Sequence, residues 1–406
     1  MKDFKGMGLD ISLVESLESQ GIESPTDIQK ETIPVMLKGQ DVMAQAQTGT
    51  GKTFAFLLPI LEKVDTEADH VQALIVTPTR ELALQITTEL LKLVNGRSEV
   101  NVLAVYGGQD VEKQISKLNK HVHIVVGTPG RLLDHIRRET IDLSQTNFLI
   151  LDEADQMLHI GFLKEVEDII YETPDSRQTA LFSATLSSDI RSLAKRFMRS
   201  PITIKGKEKG KTVEIVQQYM IETTDRRKFG ALTETLDEAR PFLGIIFCRT
   251  KRRVSKLYGD LKAKGYLVDE LHGDLSQAKR ESVIKKFREA KIQFLVATDV
   301  AARGLDIEGI THVFNYDVPH DVESYIHRIG RTGRAGEGGT AYTFIASKDK
   351  QAVPMIEKGI GKRIERKSVE SALPSGDDRD PARGREDRSR SHGRRKNSRS
   401  GGRNRR

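Results

Sequence analysis

The chain has 406 residues, 37% of them hydrophobic and 30% charged, with one cysteine and a formal net charge of +7. That length leaves room for two or three domains with separate cores, and the lone Cys248 excludes a scaffold stapled by its own disulfides and suits a reducing compartment. The densest apolar run, Phe54 to Leu61, contains Pro59 and is too short to cross a bilayer, so a cytoplasmic protein with no membrane partner is expected.

In chain order, the first informative segment is Ala46-Gln-Thr-Gly-Thr-Gly-Lys-Thr53, which opens the apolar helix from Phe54 to Leu61. It fits the phosphate-loop pattern apart from Ala46 in the place of the first glycine. Gln47, Thr48, Gly49, Thr50 and Gly51 form the cradle, in which the glycines let backbone N–H groups approach phosphate oxygens at a helix N-terminus. Lys52 supplies a point charge, and the Thr53 hydroxyl suits a magnesium ion. An ordinary glycine-rich turn before a helix is the competing reading, and the acidic strand end downstream argues against it.

Strands follow at Ala73 to Thr77, Val102 to Tyr106, Ile124 to Gly127, Phe148 to Asp152 and Thr179 to Ser183, alternating with helical patterns. This alternation is the signature of parallel α/β units, whose ligands bind beyond the carboxyl ends of the strands. Phe148-Leu-Ile-Leu-Asp-Glu-Ala-Asp155 delivers carboxylates at such an end: Asp152 for magnesium, and Glu153 to orient or deprotonate a water. Acids at a strand end alone would mean little. Together with the phosphate loop they point to nucleoside triphosphate hydrolysis.

Gly206 to Thr212 has no apolar residue and two glycines, which predicts a flexible linker. A second strand series comprises Ile215 to Ile221, Gly244 to Phe247, Val268 to Leu271, Phe294 to Thr298, Val313 to Tyr316 and Ala341 to Ile345. The expected division is a first domain at 1–205, a linker at 206–213, a second domain at 214–366 and a tail at 367–406. From 374 onward eleven Arg and one Lys face four Asp and one Glu, so the whole net charge sits there. With no Leu, Ile, Val, Met or aromatic residue to bury, that segment predicts a disordered basic arm for a polyanion such as RNA, with anionic lipid or a solubility role as competitors.

Asp152-Glu-Ala-Asp155 spells the signature of the DEAD-box RNA helicases, and the chain resembles that family over about residues 1 to 365, with a likeness to bacterial cold-shock members. The resemblance implies two tandem RecA-like domains, ATP and Mg2+ as cofactors, and RNA as partner, with ribosomal or RNA-decay assemblies as further candidates. Gly21-Ile-Glu-Ser-Pro-Thr-Asp-Ile-Gln29 fits the adenine-reading motif, with Gln29 on the base edge and Phe4 stacked on the ring. Asp155, Ser183 and Thr185 would couple nucleotide state to RNA binding. In Tyr325-Ile-His-Arg-Ile-Gly-Arg-Thr-Gly-Arg334, Arg331 and Arg334 would reach the γ-phosphate as arginine fingers, while His327 and Arg328 serve the domain interface. Asp306 would contact the ribose. The implied RNA contacts are Pro78, Thr79, Arg80, Gly107, Gly108, Thr128 and Arg131 in the first domain, and Arg249, Thr250, Arg280, Thr298 and Asp299 in the second. Hydroxyls, glycine N–H groups and arginines favour sugar and phosphate contacts on single strands and short duplexes, with little dependence on sequence. The activity implied is RNA-stimulated ATP hydrolysis coupled to domain closure and local unwinding. An ATP-dependent RNA clamp, and a DNA-translocating helicase, are the other readings.

Overall fold

The computed structural model describes residues 3–46, 49–94, 99–108, 111–118, 121–206, 215–302, 305, 307–333 and 338–372. Residues 207–213 of the expected linker with the adjoining residue 214, the tail from 373 onward, and the predicted site residues Gln47, Thr48, Asp306 and Arg334 lie outside the described residues.

Among the described residues, two seven-stranded sheets form, with parallel pairing throughout. The first comprises β1 (Val42–Gln45), β2 (Ala73–Val76), β3 (Val102–Val105), β4 (Ile124–Gly127), β5 (Phe148–Leu151), β6 (Gln178–Ser183) and β7 (Ile202–Lys205), in the order β3-β4-β2-β5-β6-β1-β7. The second comprises β8 (Val216–Glu222), β9 (Leu243–Phe247), β10 (Val268–Leu271), β11 (Phe294–Ala297), β12 (Ile310–Asn315), β13 (Gly339–Ile345) and β14 (Glu365–Arg366), in the order β10-β11-β9-β12-β13-β8-β14.

Parallel strands need helical crossovers, which cover both sheet faces, so the strands read as unbroken apolar runs. Successive residues point to opposite faces. In β2, accordingly, Ala73 and Ile75 enter one core cluster while Leu74 and Val76 enter another. In β9, Leu243, Ile245 and Phe247 face one cluster and Ile246 the other, with Cys248 fully buried just beyond the strand.

All the strands expected from the sequence form. Three short ones were not foreseen: β1, which delivers the phosphate loop, and the edge strands β7 and β14. The second domain also runs past the expected boundary at 366. Val369 and Ala372 are buried, and the Glu234 carboxylate accepts from the backbone N–H groups of Glu370 and Ser371, both at 2.7 Å. No helix among the described residues is long and apolar enough to cross a membrane.

Candidate active site

The phosphate loop links β1 to helix Lys52–Lys63. Gly49 and Gly51 have φ of +80° and +88°, in the left-handed region open to glycine. Gly51 is also pressed by its surroundings, because a Cβ there would lie 2.6 Å from Gln29 Nε2. The Gln29 amide donates to Gly51 O at 2.9 Å and accepts from Thr26 N–H at 2.9 Å, tying the loop to the preceding helix Asp27–Leu37. Phe4 is 2% exposed within the core, so its ring has no open face for a base; as folded it is a core aromatic.

Lys52 and Asp152 approach to 3.8 Å with side chains 7% and 3% exposed. Asp152 follows β5, and Glu153 takes φ 50° and ψ 48°, a left-handed conformation that is costly outside glycine and concentrates at functional sites. Burial pushes the Asp152 and Glu153 carboxyls above the usual carboxylate range, and the Lys52 charge opposes the rise. A helix N-terminus, a buried lysine, a hydroxyl at Thr53 and a carboxylate at Asp152 form a donor set that fits a triphosphate with a hard oxygen-ligated cation.

Asp155 joins this site to the end of β6. Its Oδ2 accepts from Ala184 N–H at 3.0 Å and Thr185 N–H at 3.1 Å, and its Oδ1 from Gln156 N–H at 3.1 Å. The Ser183 hydroxyl donates to Thr185 O at 2.6 Å and the Thr185 hydroxyl to Glu323 at 3.1 Å. That last bond crosses to the second domain. So does the contact between Gln156 Nε2 and His327 Nδ1 at 2.5 Å.

The Arg331 guanidinium is buried, held by His327 O at 3.1 Å and Leu305 O at 2.9 Å, and interacts electrostatically with Glu153. The Arg328 guanidinium is engaged within the second domain. It grips Asp299 through Nε at 2.5 Å and Nη2 at 2.8 Å and also donates to Asn315 and to Asp317 O, so two residues expected in different roles form one bidentate pair.

Arg80 lies against Gly107 and Gly108, where an added Cβ would collide with its guanidinium, and donates to Gln277 of the second domain at 3.4 Å. Pro78 is buried beside it, and Thr79 caps helix Arg80–Leu93. Thr128 precedes helix Pro129–Arg137, whose Arg131 donates to Gln114 at 3.3 Å. In the second domain Thr250 caps helix Lys251–Ala263, and Thr298 precedes the short helix Asp299–Ala302. Arg249 donates to Val318 O at 3.1 Å, and its N–H to Asp317 at 2.9 Å. Arg280 is buried against Glu81 of the first domain, with Nε and Nη2 at 2.8 and 2.6 Å from one carboxylate oxygen. As folded it is an interdomain residue, with its charge engaged away from solvent. Glu81 lies within Pro78-Thr-Arg-Glu-Leu-Ala83 and Gln277 opens Gln277-Ala-Lys-Arg280, segments the resemblance assigns to RNA, whereas Gln156 and Glu323 lie outside the motifs read from the sequence.

Residues 26–193 match the DEAD/DEAH box helicase family, and residues 227–336 match the helicase conserved C-terminal domain. The chain is 51% identical over 366 residues to the DEAD-box ATP-dependent RNA helicase CshA of Bacillus cereus, an alignment covering 90% of this chain and 70% of that protein. Among solved structures it resembles S. cerevisiae Dbp5 bound to RNA and ADP BeF3, with a TM-score of 0.82 and 34% identity over 91% of this chain and 96% of that one. A variant of the same yeast protein, bound to Nup159, Gle1, IP6 and ADP, gives a TM-score of 0.61 with 32% identity over 89% of this chain and 96% of that one. With its paired RecA-like domains and the acidic and phosphate-loop motifs meeting at one cleft, the chain belongs to the DEAD-box family of ATP-dependent RNA helicases.

Proposed function

We propose that the chain couples RNA-stimulated ATP hydrolysis to closure of its two domains on an RNA strand, opening short duplexes locally without processive travel. The observation that carries this reading is that the acidic motif and the helix leading to Arg331 meet across the domains, Gln156 with His327 at 2.5 Å and Thr185 with Glu323 at 3.1 Å, with the buried Arg331 guanidinium near enough to Glu153 to draw its pKa down against the effect of burial. A site that needs a residue from the other domain turns over only when the two meet, so hydrolysis is gated by closure. The likeness to the yeast protein bound to RNA and ADP BeF3, at a TM-score of 0.82, supports this.

In this reading Lys52 and the glycine loop hold the phosphates, Thr53 and Asp152 hold magnesium, and Glu153 aligns and deprotonates the attacking water. A magnesium ion held there by Thr53 and Asp152 would supply charge neutralisation to the phosphates. Arg331, with Arg334, stabilises that charge from the second domain. RNA runs over Arg80, the Gly107–Gly108 turn, Thr128 and Arg131 in the first domain, and over Arg249, Thr250 and Thr298 in the second, met through its backbone. Opening a base-pair step costs roughly 1.4 kcal/mol on duplex DNA values, which favours separation of a few pairs per closure.

The test is ATP hydrolysis by the full chain with and without single-stranded RNA, beside a matched DNA strand. Strong stimulation by RNA alone is expected. Equal rates with and without nucleic acid would reject gating by closure.

A further inference from the structure

Gln114 sits on helix Val111–Leu118, between two first-domain elements placed on the RNA path above, and it is 2% exposed. Its Nε2 donates at 3.3 Å to the carbonyl of Tyr106, the residue leading into the Gly107–Gly108 turn. Its Oε1 accepts from Arg131 Nη1 at 3.3 Å and lies 3.0 Å from His135 Nε2, both on helix Pro129–Arg137. The partners themselves fix which way the amide points, because a guanidinium only donates and a backbone carbonyl only accepts. His135, fully buried, is held in turn at Nδ1 by the Thr140 hydroxyl at 2.9 Å.

The backbone brings these elements together only in part. Thr128 N–H donates to Val105 O at 3.0 Å, which sets two strand ends side by side and leaves the long Arg131 side chain still to be aimed. Asp134 stands 3.9 Å from Arg131 Nε and bonds Arg138 at 2.9 Å. A carboxylate at position 114 would grip the guanidinium more tightly and compete with a phosphate for it. An amide orients the cation and leaves its charge in place.

We propose that Gln114 is a positioning residue that aims Arg131 at the RNA backbone before the strand arrives, so that ordering this side chain is not left to the binding step. The inference rests on the RNA path proposed above. Tyr106 and His135 hold Gln114, and Gln114 holds Arg131. Because the group received is a phosphodiester oxygen, common to every nucleotide, the effect falls on affinity and leaves sequence preference unchanged.

The experiment is equilibrium binding of a fluorescent single-stranded RNA to the full chain with a non-hydrolysable ATP analogue, beside ATPase titrated with RNA, for Gln114→Met, Arg131→Ala and the double variant. Freeing one long side chain should weaken RNA binding about three- to tenfold in Gln114→Met. The RNA concentration for half-maximal ATPase should rise by the same factor, while kcat at saturating RNA and KM for ATP keep their wild-type values. Adding Gln114→Met to Arg131→Ala should weaken binding no further. Gln114→Glu keeps oxygens facing Arg131 and His135, and it decides the matter if Gln114→Met melts below the assay temperature. Its carboxylate takes the Arg131 charge from the RNA, so the slope of log affinity against log salt should be shallower by about 0.7. Losses that add in the double variant, a lowered kcat at saturating RNA, or a Gln114→Glu slope equal to that of the wild type each overturn the inference and leave the RNA path standing. Wild-type binding by Arg131→Ala overturns the path through Arg131, and the inference with it.

Discussion

The two domains thread seven strands in the same order, β1 to β7 mapping one by one onto β8 to β14, yet only the first carries a glycine loop of the phosphate-binding pattern. The difference is clearest at a shared position. Lys52 begins the helix after β1, and Lys228 begins the helix Lys228–Ala239 after β8. Before Lys52 the chain has Gly49 and Gly51 at positive φ, so backbone N–H groups line an opening. Before Lys228 it runs Thr223-Thr-Asp-Arg-Arg227, without glycine, and the ammonium is sealed in at 3.5 Å from Asp349 with no solvent exposure. Burial depresses its pKa despite the Asp349, Asp317 and Asp225 charges. The same fold thus offers the same lysine twice. Whether it serves chemistry or packing is decided by the loop in front of it.

The strongest way to break this comparison is at the one place where the second domain enters the chemistry. Arg331→Ala should lower RNA-stimulated kcat by about 10³ to 10⁵ while leaving nucleotide binding by the first domain in place, as read by steady-state ATPase and by titration with a fluorescent nucleotide. A loss under tenfold would mean that Arg331 contributes no charge to the reaction.

Next comes the pair of lysines. Lys228→Ala takes from buried Asp349 its nearest cation, leaving Arg249 at 3.9 Å, and should cost about 3–5 kcal/mol in stability with the nucleotide site intact, whereas Lys52→Ala, which unpairs the buried Asp152, should abolish ATPase as well as lower stability. Combining Lys228→Met with Asp349→Asn should recover much of the lost stability, because the orphaned charge is removed with its partner. Denaturant melts and ATPase rates of the four proteins decide it, and an ATPase lost equally in Lys52→Ala and Lys228→Ala would erase the distinction.

The smallest effect sharpens where the two domains touch. A double-mutant cycle on Glu81 and Arg280 should give a coupling of about 0.5–3 kcal/mol in RNA affinity with an ATP analogue, and none without nucleotide. A coupling that is the same in both conditions would show that the pair forms regardless of closure.

What could be read from the sequence was local. The phosphate loop and the acidic strand end are contiguous, and each announces its chemistry within eight residues of Ala46-to-Thr53 or Phe148-to-Asp155. Strands buried on both faces show as apolar runs, and those were found. β1 reads Val-Met-Ala-Gln, with one β-branched residue and a polar end, and so does not stand out as an apolar run, and β7 exposes all but Ile204. Interdomain partners were invisible for a different reason: Glu81 and Arg280, Thr185 and Glu323, and Gln156 and His327 are far apart in the chain and meet only across the cleft. Hence Arg280 was read as an RNA contact when its charge is engaged by Glu81. Phe4 and Gln29 carried roles implied by resemblance, and the structure gives them core packing and a tie to Gly51.

The strand order also bears on how the protein is made. β1 carries the phosphate loop but pairs only with β6 and β7, the last strands of its domain. On a ribosome emitting roughly 5–20 residues per second, the strand that leads into the nucleotide site waits without neighbours until residues 178–205 have emerged. β8 waits in the same way for β13 and β14. Nascent chains stalled before β6 should therefore lack a formed phosphate loop, and an early-terminated product would hold no nucleotide to hydrolyse.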